Sequence, residues 1–303
     1  MTPESAPIPV QPGGDAVETM IVVTAHPDDA DLVSDRMWRW GVRAVADTEL
    51  ADGAVELSTS VGNDRGAIER AVATLDERWR WTTRDVDAAV GRVDPAHLAP
   101  TWYAPGMVTV PASIHPAETG DALVTVIDPG GAFGLGDHPT TRSSMAMLAR
   151  IVTRRAPRCE RALDVGCGTG ALSVLAAQLG VATVRAIDIA DAAVDATRRN
   201  AVRNDVAGAI EVDTTPVERI DGEFDVVLAN ILAPALISMG PDLVRLVRPG
   251  GSVVVSGILA ARHDHVLDAL APLATADSIV DGDWITIELR RGGRDDGRRA
   301  RHR

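Results

Sequence analysis

The residues best suited to chemistry fall in three clusters. The first is Leu163-Asp164-Val165-Gly166-Cys167-Gly168-Thr169-Gly170, where an apolar run meets alternating glycines and the helical stretch Ala171–Ala177 follows. Glycines let a backbone turn tightly and approach a ligand, and a helix N-terminus behind them presents free N–H groups. Gly-x-Gly-x-Gly alone is shared by many nucleotide-type sites, nicotinamide and flavin sites included. Its context narrows it. Asp164 stands two residues before Gly166, and Asp188 ends the next apolar run, 22 residues after Gly166. An acid there can accept hydrogen bonds from both hydroxyls of a ribose. Gly166, Gly168, Asp164 and Asp188 are therefore candidate cofactor contacts. Asp191, just beyond, reads as a helix N-cap.

The second cluster is the run Phe224-Asp-Val-Val-Leu-Ala-Asn230, followed by Ile231-Leu232-Ala233-Pro234. In open α/β sheets ligands bind beyond the carboxyl ends of strands, so Asn230 points at the crevice, where its amide can donate and accept. The competing reading is a helix N-cap. The third cluster is the loop Asp128–Arg142, with Gly130, Gly131, Gly134 and Gly136 close together. A loop this rich in glycine and polar groups is costly to order unless it contacts something. It leads into a helix expected over Thr140–Ile151. Thr140 and Thr141 can cap that helix or reach a carboxylate, and His138 fits a ligand contact, a proton acceptor or a packed loop residue equally well.

Composition removes several chemistries. All 30 basic residues are Arg. With no Lys, a Walker-type phosphate lysine, a Schiff base and a lysine general base are excluded. The two cysteines, Cys159 and Cys167, have no Cys/His cluster around them, so neither a disulfide framework nor a metal site is expected. The net charge of −13 disfavours direct nucleic-acid contact and suits a basic partner. No apolar run reaches the roughly 20 residues of a membrane span, and Met1–Gly14 lacks the blocks of a signal peptide. A soluble cytoplasmic monomer is the expectation.

The elements that must position these residues come next. After a leader over 1–18, residues 19–92 show strand signals at Thr19–Ala25, Gly41–Asp47, Ala54–Ser60 and Arg78–Thr83 and helix signals at Pro27–Arg39 and Gly66–Leu75. This βαββαβ order predicts a small ferredoxin-like α+β domain, in which Trp38, Trp40, Trp79 and Trp81 are core or interface aromatics. Residues 93–121 carry Pro95, Pro100, Pro105, Pro111 and Pro116 and read as a linker with one short strand near Met107–Val110. From 122 to 290, strand and helix alternate, with strands expected at Ala122–Ile127, Ala162–Val165, Thr183–Asp188, Ala209–Val212, Phe224–Ala229, Ser252–Ser256, Ala274–Val280 and Trp284–Leu289. That rhythm predicts a doubly wound, mostly parallel α/β sheet. Residues 291–303 read as a disordered basic tail.

The loop Asp128-Pro-Gly-Gly-Ala-Phe-Gly-Leu-Gly-Asp-His-Pro-Thr-Thr141 resembles the Asp-Pro-Gly-x-Ala-Phe-Gly-Thr-Gly-x-His-Pro-Thr-Thr signature of the ribosomal protein L11 methyltransferases (PrmA-type). Asn230-Ile-Leu-Ala233 matches the same family, and the acid before the first glycine of the 162–170 turn is similar to that of class I methyltransferases. Leu135 stands where the family usually has Thr. The resemblance is strong over 122–258 and architectural over 19–92. It implies a class I methyltransferase Rossmann-like domain, S-adenosylmethionine as cofactor, and N-methylation of amino groups of ribosomal protein L11, docked by the N-terminal domain. Phe133, His138, Thr140 and Thr141 would line the cofactor, Gly166 and Asp188 would hold its methionine and ribose parts, and Asn230 would sit beside the methyl group. The alternatives are a methyltransferase for another protein or a small molecule, a nicotinamide-dependent oxidoreductase, and a silent ligand-binding module.

Overall fold

In the computed structural model, described for residues 17–42, 45–87, 99–113, 119–128, 134, 136–155 and 159–293, the chain forms three sheets. The first comprises β1 (Val17–Ala25), β2 (Ala46–Glu49), β3 (Val55–Thr59) and β4 (Arg80–Asp87), with α1 (Ala30–Trp38) after β1 and α2 (Arg65–Val72) after β3. Its order is β2-β3-β1-β4 and every pairing is antiparallel, which is the ferredoxin-like arrangement. Ile21, Val23 and Leu57 on the sheet bury against Val33, Met37 and Trp79. Trp40 packs at the edge of this core and donates its indole N–H to Thr74, whereas Trp81 is half exposed. The strand expected from Gly41 begins only at Ala46, because the Gly41 N–H bonds back to the Trp38 carbonyl and closes α1 instead.

The stretch expected as a linker contains two strands, β5 (Thr101–Ala104) and β6 (Met107–Pro111). They form a separate sheet, β5-β6-β7, with β7 (Leu123–Ile127). β7 was expected in the main sheet. It is parallel to β6 on one side. On the other side two amides of a helix substitute for a strand. Asn204 accepts from the Val126 N–H and donates to its carbonyl, and Asn200 does the same at Asp128, at 2.7–2.9 Å. Gln178 adds a bond to the Val124 carbonyl at 2.9 Å. These side chains satisfy the strand edge that would otherwise demand another strand.

The third sheet has the order β10-β9-β8-β11-β12-β14-β13. Its members are β8 (Arg161–Val165), β9 (Thr183–Ile187), β10 (Ile210–Asp213), β11 (Phe224–Asn230), β12 (Val247–Leu259), β13 (Ala274–Asp281) and β14 (Trp284–Arg290). The first five are parallel, and β14 runs antiparallel to both β12 and β13. The fold is thus a Rossmann-like α/β sheet with an antiparallel hairpin at one edge. Helices α3 (Pro139–Arg155), α4 (Ala171–Gln178), α5 (Asp191–Arg203), α6 (Ala233–Leu246) and α7 (Asp264–Ala269) connect and cover it. Both faces are buried, as a parallel sheet requires. Along β11, Val226 and Leu228 pack with Met145, Ile151 and Leu175 of α3 and α4, while Val227 and Ala229 pack with Leu236, Leu243 and Leu246 of α6. Aliphatic residues fill both layers, as the scarcity of aromatics demands. Among the described residues no helix is long and apolar enough to cross a membrane.

Candidate active site

The order of the parallel strands reverses between β8 and β11, and their carboxyl ends open the crevice that this topology creates. The turn after β8 is pinned to the end of β9, with the N–H groups of Gly166 and Cys167 both bonded to the Ile187 carbonyl at 2.8 and 3.1 Å. Gly166 adopts φ +73°, and a Cβ on it would stand 2.4 Å from Ile231 Cγ2. Only a glycine lets the turn pass under the loop that follows β11.

Asp164, at the end of β8, is buried. Its Oδ2 accepts from the Ser173 hydroxyl at 2.6 Å, whereas Oδ1 has no hydrogen-bond partner. Burial pushes its pKa up to about 7, against the hydrogen bond from Ser173, and the neighbouring Asp188 charge adds to the rise. Asp188, one residue past β9, accepts the Gly168 N–H at 2.9 Å and the Ala190 N–H at 3.0 Å. Burial raises its pKa as well, opposed by these backbone bonds. The carboxylate thereby braces the glycine turn while standing at its rim. The N-cap of α5 is Ala190, so Asp191 is the first helical residue rather than the cap, and its charge still complements the helix N-terminus.

The other half of the rim is the start of α3. His138 Nδ1 lies 2.7 Å from the Thr140 hydroxyl and accepts the Thr140 N–H at 3.3 Å, an N-capping arrangement. Its ring packs edge-on against Trp284 at 5.4 Å. Burial lowers the pKa of His138, partly countered by Asp137 and by Asp47 of β2, and this favours the neutral ring. Of the three roles open to His138, this geometry favours the packed, orienting one. Thr141 is buried, and Asn230 Nδ2 donates to its hydroxyl at 3.4 Å. Asn230 ends β11, and α6 is capped by Leu232, so Asn230 is not the helix cap.

The structure therefore brings Asp164, Gly166, Gly168 and Asp188 together at one side of the crevice, and His138, Thr140, Thr141 and Asn230 at the other. Phe133 lies outside the described residues. Two contributors carried no sequence signal, and a third, Ile231, showed only as part of the Asn230–Ala233 match. Asn200 also donates to the Thr169 carbonyl at 2.9 Å, tying the glycine turn to Asp128. Ile231 is wedged between Gly166 and Gly257, where a Cβ on Gly257 would stand 2.5 Å from the Ile231 carbonyl oxygen. Trp284 arrives from the far end of the chain through the β13–β14 hairpin. Each depends on partners 26 to 146 residues away, which no local pattern records.

Comparison with known proteins places the chain in a family. A family model described as ribosomal protein L11 methyltransferase (PrmA) matches residues 92–292. The chain belongs to this family. A ribosomal protein L11 methyltransferase from Symbiobacterium thermophilum is 36% identical over 284 residues, covering 86% of this chain and 88% of the relative. One from Pelobacter propionicus is 38% identical over 202 residues, 66% of this chain. That match spans just under two thirds of the Pelobacter relative, 65% of its length. A solved ribosomal protein L11 methylase from Lactobacillus delbrueckii subsp. bulgaricus superposes with a TM-score of 0.56 at 31% identity, covering 64% of this chain and 98% of that one. The family match covers β5 to β14 and all the site residues described above, while the first sheet lies N-terminal to it.

Proposed function

We propose that this protein transfers methyl groups from S-adenosylmethionine to amino groups, lysine side chains or the N-terminus, of ribosomal protein L11. One observation carries the reading: the unpartnered Oδ1 of Asp164, the Gly166–Gly170 turn, the Asp188 carboxylate and the Asn230 amide share one rim. The donor set suits this cofactor. A buried carboxylate with an orphan oxygen calls for a cation or a donor, and S-adenosylmethionine carries both a sulfonium and an ammonium. A pyrophosphate on the same turn would meet the Asp164 carboxylate before Gly166 as a like charge, which disfavours a dinucleotide. Gly166 and Gly168 would admit the methionine part beside Asp164, Asp188 would take the ribose hydroxyls, and Thr140 and Thr141 would face it from α3. The family signature adds Phe133 to this lining.

S-adenosylmethionine, when bound, supplies a methyl group already activated on sulfur. What is left to the chain is alignment, exclusion of water and selection of a neutral amine. Because Asn230 Nδ2 is directed at Thr141, its Oδ1 is left to accept a hydrogen bond from the acceptor amine and to aim the nitrogen lone pair. His138, kept neutral by burial, locks the start of α3 through Thr140 and so fixes Thr141. The proton lost by the amine passes to water. The acidic surface suits a basic protein substrate.

The test is to incubate the purified chain with labelled S-adenosylmethionine and ribosomal proteins from a strain lacking the enzyme, then to locate label by mass spectrometry. Label on ribosomal protein L11, lost with Asp188→Ala, is the expected result. Label on another protein would replace the substrate and keep the reaction, and no label with intact cofactor binding would overturn the reading.

A further inference from the structure

A cleft of about 460 Å³ opens where α1 of the first sheet's layer faces the start of α6 and the turn after β12. Its apolar wall is formed by Leu32, Pro234 and Ile237, and Leu32 and Ile237 remain 44% and 40% exposed. Around that wall stand Asp28, Asp31 and Asp264. Arg262 bridges the two sides by bonding Asp28 at 2.7 Å, which leaves the cleft with an excess of negative charge. The cleft shares chain segments with the candidate active site. Its floor includes Ala233 and Pro234, three and four residues after Asn230, and Ile258, which follows the Gly257 that seats Ile231.

Resting on the reading above, we propose that this cleft receives the basic segment of the protein substrate that flanks the acceptor amine, an aliphatic side chain lodging between Leu32 and Ile237 and neighbouring Lys or Arg side chains meeting Asp31 and Asp264. Charge decides between occupants. A second copy of a chain with net charge −13 would bring like charge to a carboxylate-rimmed wall, whereas a basic peptide is attracted to it and finds aliphatic surface beside the carboxylates. Long basic side chains suit such a wall, because their methylene stems cover Leu32 and Ile237 while their charged ends reach the rim. The cleft is built from both the N-terminal layer and the start of α6, so a segment seated in it is held by both at once, on the helix that begins three residues after Asn230.

The test titrates fluorescein-labelled ribosomal protein L11 against the full chain by anisotropy, for the wild type, for Leu32→Ser and for the Ile237→Ser/Asp264→Arg double variant. Calorimetry with S-adenosylmethionine and sedimentation run in parallel. The expected result is that both variants weaken the Kd for this protein by about tenfold or more, while cofactor affinity and sedimentation stay unchanged. Equal affinity in all three proteins overturns the cleft as a docking site and leaves the proposed activity standing. Wild-type self-association abolished by the variants assigns the cleft to a second copy and overturns the proposal. A wild type that binds no ribosomal protein L11 overturns the cleft proposal together with the substrate reading, and methyl transfer without any effect of the variants separates the two.

Discussion

At the residue scale the distinctive group is Asp164, buried and half-satisfied, with a folded pKa near 7. Its pKa in the unfolded chain is about 3.9, so burial raises it. The group's contribution to stability is therefore complete below the unfolded value and is lost as pH rises through about 7. In the cofactor-free protein, Asp164→Asn should raise stability slightly at pH 5 and by about 1–3 kcal/mol more at pH 8; urea melts at the two pH values check this. A cationic cofactor reverses the balance, since it favours the charged form. Wild-type affinity for S-adenosylmethionine should accordingly rise between pH 6 and 8, and Asp164→Asn should flatten that rise. A parallel rise in the variant would remove Asp164 from the cofactor site. Gly257 gives a second prediction at this scale. At φ +80°, with a Cβ 2.5 Å from the Ile231 carbonyl oxygen, Gly257→Ala must displace the backbone beside Asn230. It should cost about 2–4 kcal/mol in a thermal or urea melt and at least about tenfold in methyl transfer.

At the element scale, α3 links the site to the edge of the sheet. Its N-terminus carries Thr140 and Thr141, and near its C-terminus Arg154 bonds the fully buried Glu288 of β14 at 2.7 Å. Burial alone would raise the pKa of Glu288, but hydrogen bonds from Ser252, Arg290 and Arg154 outweigh it and hold the pKa low. A carboxylate with a lowered pKa stabilises the fold above its unfolded value, so this contribution is lost only as pH falls through the acid range. Glu288→Ala leaves Arg154, Arg290 and Ser252 without their shared acceptor and should cost about 3 kcal/mol at neutral pH, measured by urea melts. The α5 amides act similarly on β7. Asn200→Ala removes the bonds to Asp128 and Thr169 together and takes away the Thr169 carbonyl's donor. The expected loss is about 2 kcal/mol, with cofactor affinity falling as well because the glycine turn loses its brace. A variant that melts like the wild type would show that water replaces these bonds.

At the scale of the whole molecule, a net charge of −13 and the proposed basic substrate predict a strong salt effect on encounter. Raising ionic strength from about 0.05 to 0.3 M should lower kcat/KM for the protein substrate about tenfold, because the screening length contracts to well under 10 Å, and should leave cofactor affinity nearly unchanged. The acceptor's protonation acts independently of salt. A lysine amine has a pKa near 10.4, so activity should climb from about pH 7 to 9 while chemistry limits the rate. A flat profile in single-turnover measurements would argue against a lysine acceptor. The Arg262–Asp28 pair between the layers is largely exposed and contributes little by itself, about 0–1 kcal/mol.

What the sequence determined by itself was local. Apolar runs, the first of them ending in a glycine-rich turn, placed β8, β9 and β11 and, with them, Asp164, Gly166, Gly168, Asp188 and Asn230 at or just past strand ends, because strand, turn and helix start are specified by residues a few positions apart. The βαββαβ order of the N-terminal part was legible for the same reason, and the loop signature pointed to the family. The tertiary structure decided what depends on residues far apart in the chain. β7 left the main sheet because Asn200 and Asn204, some 75 residues later, satisfy its edge. His138 turned toward Thr140 and Trp284 because the β13–β14 hairpin folds back over the start of α3. Ile231 acquired its place only when two glycines from different loops closed around it. The carboxylate-rimmed cleft exists only where α1 meets α6. Periodicity and the hydrogen bonds within a turn or helix are written along the chain. Close packing and charge environment belong to residues that meet only after folding.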